Sequence, residues 1–281
     1  MNQRAQLLPE IAVSIGHDVQ RVIAGNAGMM TGPGTNSYVV GGRDRIVIDP
    51  GPELDAHLQA LLKTAGGAVR FILVTHTHKD HSPLAQKLAQ ASGALLIGMP
   101  PPGDGRQDES FVPARIPKDG EVLELGGEQL IAIHTPGHAS NCVCYLLPRE
   151  GLLFTGDHVL EGVSPVILPP DGDMSAYFAS LDKLNAYEFE RIAPGHGEVM
   201  GRGKRVIAML KAHRQARENK VLQCLGALGT ATLDSLTPPV YDDVPKDRHG
   251  WARLTLEAHL IKLKREGRVS VEGGNWRPLK V

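Results

Sequence analysis

The chain has 281 residues, 42% hydrophobic and 22% charged, with a formal net charge of −1, which is enough apolar material for one large domain or two smaller ones. No apolar run approaches the roughly 18 residues of a membrane-spanning helix. Three cysteines, Cys142, Cys144 and Cys224, are too few and too unevenly spaced for a disulfide framework. The opening Met1-Asn2-Gln3-Arg4-Ala5 reaches Pro9 and Glu10 without an apolar h-region, so no secretory signal is read and a reducing cytoplasm is the expected compartment.

Short apolar runs punctuated by Gly and Pro fill the first two hundred residues. They predict strands at 11–15, 37–40, 45–48, 71–74, 95–97, 121–125, 129–133, 143–147 and 152–154. Helices are expected at 53–65, 82–92 and 175–186, the second with Ser82 as its cap and Pro83 in its first turn. Two batches of strands with helices between them suit an α/β sheet sandwich.

Residues 202–281 read differently. A long helical pattern covers 203–228, and a short turn at 232–236 is ended by Pro238-Pro239. Residues 251–266 place Trp251, Leu254, Ala258 and Ile261 at helical spacing, and Gly267 stops them. Then 269–271, Gly273-Gly274 and 276–277 read as strand, tight turn and strand. Helix, helix, helix, hairpin is the order of a winged helix; a three-helix cap is the plainer alternative. This segment carries +8 and the remainder −9. The contrast predicts two domains, 1–201 and 202–281.

The chemistry concentrates at His76-Thr77-His78-Lys79-Asp80-His81, directly after Phe71-Ile72-Leu73-Val74. Imidazole nitrogen and carboxylate oxygen are donors for zinc and similar metals. Four such groups on one short loop are too many for one tetrahedral ion and point to two. Three further donors follow: His138 in Thr135-Pro136-Gly137-His138, Asp157 in Thr155-Gly156-Asp157-His158, and His196 in Ala193-Pro194-Gly195-His196. Each comes after a short apolar run and directly after Gly, which lets the backbone turn sharply. A single histidine after a strand is more often a surface or core residue. Three within six positions are rarely structural. Lys79 is expected to point to solvent, His134 and His158 to support the site or the backbone. His17, His57, His213, His249 and His259 carry no site signal.

These residues resemble the metallo-β-lactamase fold superfamily over residues 11–200. The resemblance implies an αββα sandwich and a hydrolase with two divalent ions, zinc expected and manganese or iron the alternatives. It implies that His76, His78 and His138 hold one ion and Asp80, His81 and His196 the other, with Asp157 bridging. Asp rather than Cys at 157 is similar to the hydrolase branches with a bridging carboxylate. The winged-helix-like tail, with Gly32-Pro33-Gly34-Thr35-Asn36-Ser37-Tyr38 and Ile48-Asp49-Pro50-Gly51, resembles the β-lactamase-like protein 2 subfamily, which includes a mitochondrial endoribonuclease and bacterial relatives. In such a site the ions activate a shared water, and Asp80 is the expected catalytic residue that orients it. The expected substrate is an ester, thioester or lactone. The alternative is endoribonuclease-like cleavage of single-stranded RNA held by the basic tail, and a third reading is a nucleic-acid-binding regulator. Selectivity is expected from loops 32–38, 99–118 and 159–173. No membrane contact is expected, and monomer and dimer both stay open.

Overall fold

A computed structural model describes residues 7–279; the opening Met1 to Ala5 lies outside the described residues. The chain divides into two compact units.

The first unit comprises residues 1–135, 141–163 and 186–204 and contains two six-stranded sheets. One sheet orders β1 (Val13–Gly16), β2 (Val19–Ile23), β3 (Asn36–Val40), β4 (Arg45–Ile48), β5 (Val69–Leu73) and β6 (Leu95–Ile97) in sequence. The other is built from β7 (Glu121–Leu125), β8 (Glu128–His134), β9 (Val143–Leu147), β10 (Leu152–Gly156), β11 (Arg191–Pro194) and β12 (Met200–Gly201), ordered from β12 back to β7. Most neighbours are antiparallel, but β4–β5–β6 and β10–β11 are parallel.

Side chains alternate faces along a strand. Tyr38, Val40, Ile46, Ile48 and Leu73 therefore point inward and pack with Leu123, Leu130, Ala132, Tyr145, Leu147 and Phe154 of the opposite sheet. The intervening Val39, Val47 and Ile72 point outward and pack with α1 (Asp55–Thr64) and α2 (Leu84–Ser92). Both faces of the first sheet are thus buried, and its central strands read as continuous apolar runs.

The second unit contains residues 136–140, 164–185 and 205–281. Its helices are α3 (Met174–Leu184), the body of α4 (Gly203–Leu228), α5 (Leu233–Val240) and α6 (His249–Arg265). A hairpin of β13 (Val269–Glu272) and β14 (Asn275–Pro278) closes it. Val221, Leu225, Leu236, Val240, Leu256, Leu260, Leu263 and Trp276 share its core. Glu218 lies within this unit and receives the Lys262 ammonium at 2.9 Å. Charged groups are buried only when paired, and this pair meets that condition.

Some expectations need correction. The helix expected at Ser82 starts at Leu84, without a side-chain cap. Ser82 instead donates its hydroxyl to Asp108, 2.6 Å away. The short helix α5 does not stop before Pro238-Pro239 but runs through both to Val240, held at its start by a Thr232–Ser235 capping box. The strands β2, β11 and β12 were not predicted. Cys142 and Cys144 are buried, as expected of small apolar residues.

Candidate metal centre

The parallel strands aim their C-terminal ends at one rim. β5 delivers the loop from Thr75 to His81, β10 delivers Asp157 and β11 delivers His196. Donor atoms of His76, His78 and His138 lie within 4.8 Å of one another, and those of Asp80, His81, Asp157 and His196 do likewise. All seven predicted donors fall into these two groups, and Lys79 is exposed.

The separations inside the second group decide what it can hold. His196 Nε2 is 3.1 Å from Asp80 Oδ2 and 3.4 Å from Asp157 Oδ1. His81 Nε2 is 3.4 Å from Asp80 Oδ2 and 3.3 Å from Asp157 Oδ1. A tetrahedron of ligands about 2.0–2.1 Å from a central ion has edges of about 3.3 Å. His81 Nε2 is also buried and makes no hydrogen bond. In the first group His76 Nε2 and His78 Nδ1 are 3.0 Å apart, again near such an edge. The donor set therefore fits divalent metal ions.

The other ring nitrogens are held by oxygen. Asp49 Oδ2 accepts from His81 Nδ1 at 2.9 Å and from the Thr75 hydroxyl at 2.7 Å. With its proton on Asp49, Thr75 Oγ1 accepts from His76 Nδ1 at 3.1 Å. Gly34 carbonyl accepts from His196 Nδ1 at 3.1 Å, and Val166 carbonyl from His138 Nδ1 at 2.7 Å. This turns each Nε2 toward its cluster, the usual way a protein orients metal-binding imidazoles.

Electrostatics follow. Burial works against a charged His196, but the Asp157 and Asp80 carboxylates override it and lift its pKa to about 10. Burial likewise opposes the Asp80 carboxylate, and His81 and His196 hold it well below the usual carboxylate range. A site that attracts protons this strongly attracts a cation for the same reason.

Two glycines are dictated by crowding. Gly156 has φ of +48°, and a Cβ there would sit 2.2 Å from Thr75 Oγ1. A Cβ on Gly195 would sit 2.4 Å from Asp157 Oδ1 and 2.7 Å from His81 Cε1.

Sequence reasoning missed the support around the donors. Asp49 was seen only as part of a strand-end motif; its φ of +50°, rare for a non-glycine residue, was the hidden signal. Asn36 was missed as well: its side chain donates to Pro194 and Gly197 carbonyls at 2.9 Å, clamping the turn that carries His196. The expected rim loops each touch the site. Thr35 Oγ1 lies 3.5 Å from Asp80 Oδ2, Gln107 accepts from Thr77 at 2.6 Å, and Val166 holds His138. The His158 ring is wholly buried.

Residues 30–196 match the family described as the metallo-beta-lactamase superfamily. The chain belongs to this superfamily. Residues 232–276 of this superfamily member match the beta-lactamase associated winged helix domain, which identifies α5, α6 and the hairpin. The chain is similar to a beta-lactamase-like protein 2 homolog of Drosophila melanogaster, 31% identical over 94% of both chains. It is 31% identical to an atrochrysone carboxyl ACP thioesterase of Aspergillus chevalieri, covering 90% of this chain and 83% of that one. Among solved structures, TTHA1623 in a di-iron-bound form is 28% identical with a TM-score of 0.54, over 66% of this chain and 96% of that one. Among the described residues, no helix is long and apolar enough to cross a membrane.

Proposed function

We propose that this superfamily member is a dinuclear metal-dependent hydrolase of thioesters, with related esters and lactones as secondary substrates. The carrying observation is the pair of donor groups, four of whose edges lie at 3.1–3.4 Å. His76, His78 and His138 would hold one ion, and Asp80, His81 and His196 the other, with Asp157 shared. Zinc is the proposed metal, with manganese or iron as alternatives; the di-iron form of TTHA1623 keeps iron in view. When bound, such ions acidify water and polarise a carbonyl oxygen.

The chain's own residues do the rest. Asp80 is the most accessible side chain of the second group, 27% exposed against 12% for Asp157, 7% for His196 and 0% for His81. It is therefore placed to accept a hydrogen bond from the attacking water and orient it. The loop that carries Thr35 stands beside Asp80, with Thr35 Oγ1 3.5 Å from Asp80 Oδ2. Water adds to the thioester carbonyl, the C–S bond breaks, and a carboxylic acid and a thiol result. Thiols ionise near pH 8.5, so the sulfur leaves as thiolate without a donated proton, unlike an alkoxide. The thioesterase relative supports this substrate class.

The RNA reading draws less support. Much of the tail's positive charge is already engaged: Lys211, Arg217, Lys220, Arg253, Lys262 and Arg265 each pair with a carboxylate. The test is a substrate panel on metal-replete protein: acyl-coenzyme A and N-acetylcysteamine thioesters, followed by thiol release, beside lactones and a single-stranded RNA. Thioester turnover that disappears in Asp157→Ala supports the proposal. RNA cleavage without thioester turnover overturns it.

A further inference from the structure

We propose that His57 and Glu10 are positioning residues for the metal-facing side chain of His81. His57 projects from α1 and is completely buried. Its Nε2 is 2.8 Å from Ser37 Oγ, and its Nδ1 is 2.7 Å from Glu10 Oε2. Serine, histidine and a carboxylate in this order resemble the array of a serine hydrolase. Ser37 cannot play that part. It is fully buried, and its hydroxyl donates to the main-chain oxygen of Asp49. Its proton is committed there, so it accepts from His57.

The array acts on backbone instead. Asp49 holds a left-handed conformation, φ +50°, in which a non-glycine residue is strained. The Ser37 bond fixes the carbonyl of that strained residue. The Asp49 carboxylate, so fixed, accepts from His81 Nδ1. A second route runs through Gly51. A Cβ on Gly51 would sit 3.2 Å from the His57 ring, so the ring packs directly under this glycine. The Gly51 N–H donates to the His81 carbonyl at 2.8 Å. Thus one ring braces both the side chain and the main chain of His81. Glu10 sets the ring's angle and is itself fixed, accepting from Gly25 N–H at 3.1 Å.

This inference rests on reading Asp80, His81, Asp157 and His196 as a metal centre. The experiment compares wild type, His57→Gln and Glu10→Gln. Each is titrated with zinc against a chromophoric chelator, and the visible spectrum of the cobalt-loaded protein is recorded. Metal-free stability is measured by urea unfolding. Loss of an outer hydrogen-bond partner lowers metal affinity about 10- to 100-fold. His57 acts through Ser37 and Asp49, so the expected result is a loss at the lower end of that range, about tenfold, at one of two sites in His57→Gln, a smaller loss at that site in Glu10→Gln, and an altered cobalt spectrum in both. A purely structural pair would lower stability and leave the affinity of the folded protein unchanged. Both affinities within twofold of wild type in folded variants would overturn the proposal. Glu10 is partly exposed, so Glu10→Gln decides the matter if His57→Gln does not fold. Wild-type protein that binds fewer than two ions would instead refute the metal-centre reading.

Discussion

Gly195→Ala tests the site with one methyl group. The added Cβ would lie 2.4 Å from Asp157 Oδ1, 2.7 Å from His81 Cε1 and 3.0 Å from the Gly156 carbonyl carbon. Ordinary contact begins near 3.4 Å, so the Asp157 oxygen must retreat by about 1 Å, because the backbone on the other side cannot. Asp157 Oδ1 stands 3.3 Å from His81 Nε2 and 3.4 Å from His196 Nε2. A shift of about 1 Å would carry those separations beyond the roughly 3.3 Å edge set by 2.0–2.1 Å ligand distances. Overpacking of this kind costs typically 1–3 kcal/mol of stability. Metal affinity should fall about 10- to 100-fold at the cluster that contains Asp157, with the other site less affected. Chelator competition measures the affinity and urea unfolding the stability. Gly201→Ala, where an added Cβ meets nothing within 4 Å, is the control. A Gly195→Ala protein with two wild-type affinities would refute the crowding argument.

Other perturbations have equally definite outcomes. Asp49→Asn weakens the acceptor for His81 and Thr75, so metal affinity should drop at least about tenfold by the same titration. Glu218→Gln leaves Lys262 with Glu266, 2.7 Å away, as its remaining carboxylate and should cost about 1–3 kcal/mol in urea unfolding; a loss below about 0.5 kcal/mol would show the buried pair to be dispensable. Gly226→Ala, in α4 with nothing near the added Cβ, should stabilise by about 0.5–1 kcal/mol, and a loss would contradict the open space there. Arg217 hydrogen bonds hold Asp243 down to about pKa 2, against an ordinary 3.8. The folded-state value is the lower one, so this contribution is present above pH 4 and is lost as pH falls from 4 toward 2. Asp243 is exposed although Arg217 is buried, so solvent screening keeps the pair to about 1 kcal/mol. Asp243→Asn should flatten acid unfolding by that amount in that window and leave the pH 7–9 range untouched apart from a constant offset.

The donor loop was legible because its signal is local: four ligand-type residues within six positions, at the end of an apolar run. His138, Asp157 and His196 became legible by analogy with that loop, each preceded by glycine. Asp49 did not, since an Asp-Pro-Gly sequence reads as a turn and its carboxylate acts on residues 26 and 32 positions away. Strand β2 was hidden for a related reason. Arg21 interrupts its apolar run, yet is buried because Glu198 receives it at 2.7 Å from a distant turn. Strand β11 has four residues and ends in proline, and only its pairing with β10 on one side and β12 on the other defines it. Ser82 looked like a helix cap because the alternative acceptor, Asp108, lies 26 residues downstream. What local pattern dictates was readable; what a long-range partner dictates was not.

The Gly34 carbonyl that holds His196 is 162 residues upstream of it. A ribosome adding about 5–20 residues per second needs about 8–30 seconds to pass from one to the other. Once residue 81 has been added, Asp80 and His81 stand in the nascent chain without His196 for the rest of that interval. On the metal-centre reading, tight capture of an ion by this cluster would be a late event in the protein's synthesis, and ribosome-bound chains arrested before residue 196 should retain metal no better than an unstructured histidine-rich peptide.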